Sequence, residues 1–490
     1  MRGVGISCDD TICHRGARAS RDDGERTLLR NIHRIFVPPT SMPVMMVGAR
    51  VPISFMMVHN GHMSNLREVT LARRAVRIAH YNRFQKGIAS QLRRIAKPIE
   101  GLRVIHINST AHGGGVAELL ESQVPFERAL GISSHWFTID APPAFFKVTK
   151  RLHDLLQGGR NALGSRERKI YLDVGRAVGE DVRKAADAYR PDIIVLHDPQ
   201  TLGAVHAAAE RAPVIARLHG DLLTPNPRAA AFVEPFLEKA DRIVVSSEDY
   251  MKRFPSIPRG RVEVVYPAID PLVSKNALMG NAEARTLLRK FGVRETGPLI
   301  AQVSRFDPWK DPVGVIRAYR ITKRAIPRLQ LVLLGLFLAK DDPEAATVFS
   351  RAQKEAKGDP DIFLFADPKL ARKVSDETMV RAVYAGSDVV IQKSIREGFG
   401  LTMTEAMWQG RPLVAGRTTG ACIQIKNGRN GILVNSPEEA ADAVIQLFHG
   451  PAKAKALGKA AHESVRRSFL MPRFVADNLR IYRTLRRKEK

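Results

Sequence analysis

The 490-residue sequence has little cysteine, a shortage of negative charge and no long apolar run. Its three cysteines, Cys8, Cys13 and Cys422, form neither a disulfide framework nor a metal-ligand pattern. No stretch of about 18 uninterrupted apolar residues is present, so no membrane-spanning helix is predicted. The sequence also lacks a secretory pattern of charged start, apolar run and small-residue cleavage site. We therefore expect a cytoplasmic protein with idle thiols.

Acidic residues are outnumbered, because 77 Lys and Arg face 50 Asp and Glu and give a net charge of +27. This excess favours an anionic partner, either a phosphorylated small molecule, an acidic membrane surface or nucleic acid. Nucleic acid is the weaker prediction, since aromatic residues make up only 6% of the chain and no recognition module is recognisable. A membrane surface stays open but is not favoured: residues 66–97 are basic and partly amphipathic, yet lack an aromatic face.

The first 62 residues differ in composition from the rest of the chain. Residues 1–34 contain seven Arg and no Lys, and residues 42–63 hold six of the 13 Met. Neither stretch has a sustained apolar period. From Met63 onward the sequence is typical of a helix that leads into a strand. We expect residues 1–62 to be a disordered extension, or an upstream translation of a gene that starts at Met63.

Beyond Gly101, apolar runs alternate with helical periods in two successive series. The predicted strands are 103–108, 192–198, 213–219 and 241–247 in the first series, and 298–305, 329–335, 361–367, 388–393 and 411–416 in the second. Strands that alternate with helices form βαβ units and parallel sheets. A chain of this length is also too long for one ordinary core. We therefore predict an α/β protein with two doubly wound, Rossmann-like domains that face a central cleft.

The boundary between the two domains is predicted at the segment "YPAIDPLVSKN", which has the composition of a linker. Residues 63–268 would then form the N-terminal domain and residues 269–470 the C-terminal domain. The last segment, 471–490, is predicted to be a helix that packs back across the domains.

Ligands of open α/β sheets bind beyond the carboxyl ends of the strands, so the residues that follow each strand are candidates for a site. In the first series, Gly113–Gly115 end a loop before a helix that is predicted to begin at Val116, and the amides at this helix start would suit an anion or a sugar oxygen. Two neighbouring strands are followed by 219–221 (His-Gly-Asp) and 197–200 (His-Asp-Pro-Gln), so their polar side chains are expected to line one cleft. A tight turn and two helix caps would explain each feature separately.

Cations and carboxylates follow the strands of the second series. Arg305 ends one strand and Lys310 lies five residues later; a guanidinium and an ammonium on one loop suit a diphosphate. Glu397 precedes Gly398–Gly400, which lead into a helix that carries Glu405. The helix amides would hold phosphate oxygens, whereas carboxylates accept hydrogen bonds from hydroxyl groups. A nucleotide sugar has both kinds of group, although solvated cations and a helix cap would explain the residues one by one.

At these residues the sequence resembles the retaining GT-B glycosyltransferases of family 4, whose carboxylate pair has the spacing of Glu397 and Glu405. Five segments are similar to the trehalose synthase branch of that family: "INSTAHGGGVAELL", "FFKVTKRLHDLLQG", "LHDPQ", "SRFDPWKDP" and "QKSIREGFGLTMTEAMW". The resemblance covers roughly residues 63–488. It departs at Gly220, where relatives often carry a bulkier apolar residue, and at Thr419-Gly420, where they have a double glycine.

The resemblance implies a role for each candidate residue. Arg305 and Lys310 would bind the donor diphosphate and stabilise charge on the departing nucleotide. Glu397 would contact hydroxyls of the donor glucose, and Glu405 the nucleotide ribose. The other implied roles are donor-side backbone groups at Gly114, Gly115, Gly398, Phe399 and Gly400, contact with the transferring sugar by His219 and Asp221, and acceptor-side contacts by His197, Asp198 and Gln200. No metal or other cofactor is implied.

The implied reaction moves glucose from a nucleoside-diphosphate glucose to free glucose and forms α,α-trehalose. Trehalose phosphorylases, which use glucose 1-phosphate, are near relatives and stay an alternative. A peripheral membrane glycosyltransferase is a second alternative, and a non-catalytic nucleic-acid-binding protein is motivated by charge alone. The choice of nucleotide and the existence of a homo-oligomer are left open by the sequence.

Overall fold

The structure is a computed structural model that describes residues 65–71, 75–335, 344–366 and 374–486. The expectations for residues 1–62 lie outside the described residues. The described chain belongs to one compact unit and contains two parallel, Rossmann-like sheets with their helices, which confirms the predicted α/β fold class. Within these ranges, every helix falls short of the length and apolarity that crossing a bilayer requires.

The first lobe is built on a seven-stranded sheet. Its strands are β1 (Leu66–Glu68), β2 (Arg103–Asn108), β3 (Ser133–Ile139), β4 (Ile193–His197), β5 (Val214–Arg217), β6 (Arg242–Val245) and β7 (Val262–Val264). Its helices are α1 (Ile88–Ala96), α2 (Gly115–Ala129), α3 (Pro143–Leu156), α4 (Ser165–Tyr189), α5 (Pro199–Leu202), α6 (Val205–Ala209) and α7 (Pro227–Leu237). The strand order is β1-β3-β2-β4-β5-β6-β7, and every neighbouring pair is parallel except β1 with β3.

The second lobe is built on a six-stranded, fully parallel sheet. Its strands are β8 (Leu299–Val303), β9 (Gln330–Leu334), β10 (Ile362–Phe365), β11 (Val389–Gln392), β12 (Leu413–Gly416) and β13 (Ile432–Val434). Its helices are α8 (Asn281–Arg289), α9 (Pro312–Ala325), α10 (Ala345–Ala356), α11 (Asp376–Gly386), α12 (Leu401–Trp408), α13 (Thr419–Gln424), α14 (Pro437–His449) and α15 (Pro451–Ser468). The strand order is β10-β9-β8-β11-β12-β13.

The predicted strands all correspond to observed ones, but four further strands, β1, β3, β7 and β13, were not predicted. Strand β3 mixes polar with buried apolar residues, so it lacks the continuous apolar run of the central strands. The segment after β4 forms two short helices, α5 and α6, which are separated near Gly203. At that point the backbone meets helix α4, where a Cβ on Gly175 would lie 2.8 Å from the Cα atom of Gly203.

The last helix of the described chain, α16 (Met471–Leu485), packs against the first lobe after the chain leaves the second. Its buried residues Phe474, Leu479 and Tyr482 recur at helical spacing and form one stripe. This stripe shares a hydrophobic cluster with Leu92 of α1 and Phe126 of α2. Helix α16 therefore ties the end of the second lobe to the first.

Truncation of the α16 stripe should destabilise the protein. Leu479→Ala should lower the free energy of unfolding by about 2–5 kcal/mol, because a fully buried side chain is lost and a cavity is left behind. Denaturant unfolding followed by circular dichroism measures this change. Arg483→Ala, at an exposed position of the same helix, is the control and should change it by less than about 0.5 kcal/mol. Equal effects of the two substitutions would contradict the packing of α16.

Candidate active site

A cavity of about 740 Å³ lies between the two lobes. Its walls come from loops that follow the carboxyl ends of strands in both sheets, among them β2, β4 and β5 of the first lobe and β8 and β11 of the second. This is the edge at which parallel sheets bind their ligands, because the loops and helix starts there leave backbone groups free. The fold therefore directs both series of candidate residues towards one cleft.

Most of the candidate residues are brought together in this cleft. Those that line it are Gly114, Gly115, Asp198, Gln200, His219, Arg305, Lys310, Glu397, Gly398, Phe399, Gly400 and Glu405. His197 and Asp221 are not part of the lining and are 1% and 2% exposed. His197 reaches the cleft through its ring contact with His219, and Asp221 lies 3.9 Å from Arg396, which does line the cavity.

The loop after β11 brings the two lobes into backbone contact. A Cβ atom on Gly398 would lie only 2.2 Å from the carbonyl oxygen of His219, so this position requires glycine. The hydroxyl of Tyr250 donates a hydrogen bond of 2.8 Å to the Gly398 carbonyl. Gly420 supports the loop from behind: its amide donates to the Glu397 carbonyl at 3.0 Å, and a Cβ there would meet the Phe399 backbone. Gly420, the single glycine where the family has two, therefore allows the close contact with the Phe399 backbone.

The two candidate cations of the second lobe each lie beside a carboxylate. Lys310 belongs to a short turn after β8 and forms an ion pair with Glu397 across the cleft floor. Arg305 is more open, with 41% of its side chain exposed and a guanidinium 3.9 Å from Asp307. An acceptor for hydroxyl groups and two donors for phosphate oxygens thus line the same cavity.

Glu405 is buried in the wall of the cleft and paired with a lysine that sequence analysis missed. Lys275 lies 2.8 Å from Glu405 on α12 and 2.8 Å from Glu118 on α2, so one ammonium joins the two lobes. Burial raises the pKa of Glu405, and Lys275 only partly opposes this. Burial would lower the pKa of Lys275, but the two carboxylates raise it well above its ordinary value. Lys275 lies within the predicted linker segment, whose composition does not indicate a binding site.

Helix α3 contributes a second set of missed residues. Lys150 lies 2.9 Å from Asp154 and 3.4 Å from Asp307 of the other lobe, and the Trp309 indole donates to Asp154 at 3.1 Å. His153 also lines the cleft, and burial followed by the charge of Lys150 lowers its pKa to about 4. In the sequence, the segment 145–158, which carries Lys150, His153 and Asp154, is distinguished only by the family resemblance described above.

At Gly220, the other position that departs from the family pattern, the absence of a side chain makes space for the ring of His153. A Cβ on Gly220 would lie 3.2 Å from the His153 ring, which is tighter than an ordinary contact. A bulkier residue at this position would therefore displace the ring. The departure and the histidine belong to one local arrangement of the cleft wall.

Asp198 is held in an environment that favours its protonated form. It accepts a hydrogen bond of 2.7 Å from the His219 amide, and its backbone has a positive φ of 62°. Burial raises the pKa of the Asp198 carboxyl to about 7, and the hydrogen bond opposes that shift only in part. In an unfolded chain this pKa is near 3.9. The folded protein therefore binds this proton over a pH range in which the unfolded chain has released it.

Asp198→Asn should change the pH dependence of stability. A raised pKa makes the wild type lose stability as the pH rises from about 4 to 7, because the unfolded state ionises first. The asparagine keeps the acceptor for His219 but cannot ionise, so the variant should gain roughly 2–3 kcal/mol relative to wild type between pH 5 and pH 8. Denaturant unfolding at the two pH values measures this gain. Asp442→Asn, an exposed position on α14, is the control, and an identical response of both variants would contradict the burial of Asp198.

Two family models match the chain, one for each lobe. The model described as "Trehalose synthase, N-terminal domain" matches residues 106–252, and the one described as "Glycosyl transferases group 1" matches residues 284–464. Together these matches include most of the residues that line the cleft. They leave the linker with Lys275 and the helix α16 outside both matched ranges.

Comparisons with known proteins agree with these matches. Trehalose synthase of Rubrobacter xylanophilus is 38% identical over 404 residues, which cover 82% of this chain and 95% of the relative. Trehalose phosphorylase of Pleurotus sajor-caju is 25% identical and covers 85% of this chain and 60% of the relative. The solved alpha,alpha-trehalose-phosphate synthase (UDP-forming) of Burkholderia vietnamiensis has a TM-score of 0.61 at 17% identity, covers 79% of this chain and 98% of its own, and shares the fold. The chain therefore belongs to the trehalose synthase family and is a glycosyltransferase with the GT-B fold.

Proposed function

We propose that the protein transfers glucose from a nucleoside-diphosphate glucose to free glucose, with retention at the anomeric carbon, and so forms α,α-trehalose. The observation that carries this proposal is the composition of the cleft, where paired cations and carboxylates of the second lobe face a histidine and a glycine turn of the first. A ligand with a diphosphate and several hydroxyl groups uses both kinds of group. The similarity to trehalose synthases supports the same reaction.

Donor binding would exchange the ion partners inside the cleft. Lys310 contacts Glu397 in the structure. We propose that Lys310 turns with Arg305 to the diphosphate, and that Glu397 then accepts hydrogen bonds from glucose hydroxyls. Glu405, on the opposite side of the backbone amides of Gly398–Gly400, would accept hydrogen bonds from the ribose hydroxyls. Each charge thus keeps a partner in both states, which limits the cost of desolvation.

The transfer step would depend on positioning and on charge stabilisation. The bond between the anomeric carbon and the departing phosphate oxygen breaks, and the acceptor hydroxyl oxygen bonds to that carbon on the same face. The hydroxyl proton passes to the departing phosphate. Arg305 and Lys310 stabilise the negative charge that develops there, while His219 holds the transferring sugar. Asp221 acts through the loop of Arg396, and Asp198 with Gln200 borders the acceptor.

A trehalose phosphorylase is the second candidate function, and a specific observation favours it. Arg305 and Lys310 would bind a free phosphate as readily as a diphosphate, since neither contact requires a nucleotide. The phosphorylase relative also covers most of this chain. It is less similar than the trehalose synthase, however, and this chain spans only 60% of its length.

The alternative of a peripheral membrane enzyme loses its main support, which was the amphipathic character of residues 66–97. The apolar residues of α1, Ile88, Leu92 and Ala96, are buried in the cluster that also contains Phe474 of α16. They are therefore already covered by the protein. A bilayer would have to displace α16 before it could bind this face of the helix.

Glu397→Gln should abolish most of the transfer activity. The glutamine has the same shape but lacks the charge that accepts sugar hydroxyls and pairs with Lys310, so we expect kcat/KM to fall on the order of 100-fold. Purified protein would be incubated with ADP-, UDP- or GDP-glucose plus glucose, and α,α-trehalose would be detected by NMR.

The matched control is Glu463→Gln, a carboxylate of α15 that is paired with Arg466 and Arg467 outside the cavity lining. It should retain wild-type activity. Trehalose formed from glucose 1-phosphate and glucose, with none from any nucleotide donor, would establish the phosphorylase instead. Full activity of Glu397→Gln would contradict the proposed role of that residue.

A further inference from the structure

A continuous chain of hydrogen bonds leads from the buried core of the first lobe to the cleft. Oε2 of Glu127 lies 3.1 Å from Nε2 of His106, Nδ1 of His106 lies 3.2 Å from Nε2 of His197, and Nδ1 of His197 lies 3.0 Å from Nε2 of His219. The three histidines belong to β2, to β4 and to the loop after β5, which are neighbours in the sheet. The chain thus crosses three adjacent strands and ends at a residue that lines the cavity.

This chain needs an explanation, because polar side chains are costly to bury. Glu127 and His106 are both fully buried. Well-packed apolar residues in place of such a pair are often neutral or stabilising, so packing alone does not account for it. Among the described residues, no group of His, Cys, Asp and Glu has the arrangement of a metal site. The hydrogen bonds themselves are therefore the property to be explained.

The carboxylate at the buried end of the chain accepts hydrogen bonds from several elements. Gln123 of α2 donates at 2.7 Å, Ser134 of β3 at 2.7 Å and Tyr482 of α16 at 3.0 Å. Each oxygen of the Glu127 carboxylate thus accepts at least one hydrogen bond besides the contact with His106, and such hydrogen bonds favour the ionised form. An ionised carboxylate has no hydrogen to donate. The link from His106 to Glu127 must therefore carry its hydrogen on Nε2 of His106.

The direction of this first link determines the direction of the others. A neutral imidazole has one N–H and one acceptor nitrogen. If Nε2 of His106 donates, its Nδ1 accepts from Nε2 of His197, and Nδ1 of His197 in turn accepts from Nε2 of His219. Burial, together with the charge of nearby Arg217, holds the pKa values of His197 and His219 well below the ordinary value, which keeps both rings neutral.

We propose that His106 is neutral and that Glu127, through His106 and His197, fixes His219 in the tautomer with its hydrogen on Nε2, so that Nδ1 is offered to the sugar as a hydrogen-bond acceptor. This inference rests on the proposed function, in which His219 holds the transferring sugar. Glu127, His106 and His197 are then positioning residues, and His219 accepts from a sugar hydroxyl instead of donating to it. Second partners fix the tautomers of metal-bound histidines in the same way.

The first test is spectroscopic and does not depend on activity. The full chain, labelled with ¹⁵N-histidine, would be examined by long-range ¹H–¹⁵N NMR, and the His219 signals would be identified by their loss in His219→Gln. We expect a protonated Nε2 and a bare Nδ1 at His219. A hydrogen on Nδ1 in the wild type, which a positively charged His106 would produce by reversing every link, would overturn the proposal.

Two substitutions separate the tautomer from simple packing. In Glu127→Gln, the amide oxygen should face the donors Gln123 and Tyr482, so that its NH₂ group faces His106 and reverses the chain. His219 should then carry its hydrogen on Nδ1. In His106→Gln, the side chain can still donate to Glu127 and accept from His197, so His219 should keep its wild-type tautomer. An unchanged His219 tautomer in Glu127→Gln would overturn the proposal.

The second test divides the kinetic effect between kcat and KM. Glu127→Gln should lower kcat on the order of 10-fold with KM changed less than about 3-fold, because the hydrogen bond from the sugar hydroxyl strengthens in the transition state. His106→Gln should keep a kcat above that of Glu127→Gln, and Glu463→Gln serves as the control. A fall in kcat without a tautomer change would overturn the proposal. Absence of transfer from every donor in the wild type would instead overturn the proposed function, and the NMR result would still decide the tautomer.

Discussion

The contact between the backbones at Gly398 and His219 is the constraint on which the geometry of the cleft depends. A glycine without a Cβ lets the two lobes approach until the loop after β11 touches the loop after β5, and Tyr250 closes this contact by a hydrogen bond. Because Glu397 precedes this glycine, the contact brings Glu397 and His219 into the lining of one cleft. A larger residue would force the two loops apart, because its Cβ would lie 2.2 Å from the carbonyl oxygen of His219.

Charge inside the cleft is balanced by pairs that often join the lobes. Lys275 contacts Glu405 and Glu118, Lys150 contacts Asp307, and Lys310 contacts Glu397. Among the described residues, the lysines that line the cleft, Lys150, Lys275 and Lys310, are therefore all paired with carboxylates. In the proposed reaction, a diphosphate would have to compete with carboxylates for these ammonium groups, so affinity for the donor would depend on the exchange of partners and not on an open positive pocket.

The fold and much of the cleft could be predicted from the sequence because they depend on local patterns. Central parallel strands such as β4 are continuous apolar runs, and the residues after them necessarily lie at the ligand-binding edge. Contacts between distant segments gave no such signal: Lys275 lies in a linker more than 100 residues from Glu405, and His106 looks like an ordinary strand residue until β4 is placed beside it. Strand β3, which lies between β1 and β2, is not predicted for a related reason, since polar residues interrupt its apolar run.

Helix α16 links the packing of the two lobes to the hydrogen bonds of the histidine chain. It begins where the second lobe ends, yet its Tyr482 donates to Glu127 and its Asn478 accepts from Arg217, a buried cation below the histidines. The apolar stripe that holds α16 on the first lobe therefore also places two polar groups at the buried end of the histidine chain. Since the far end of that chain is His219, the packing of a helix at the back of the molecule bears on the hydrogen-bonding character of the cleft through fixed, directional contacts.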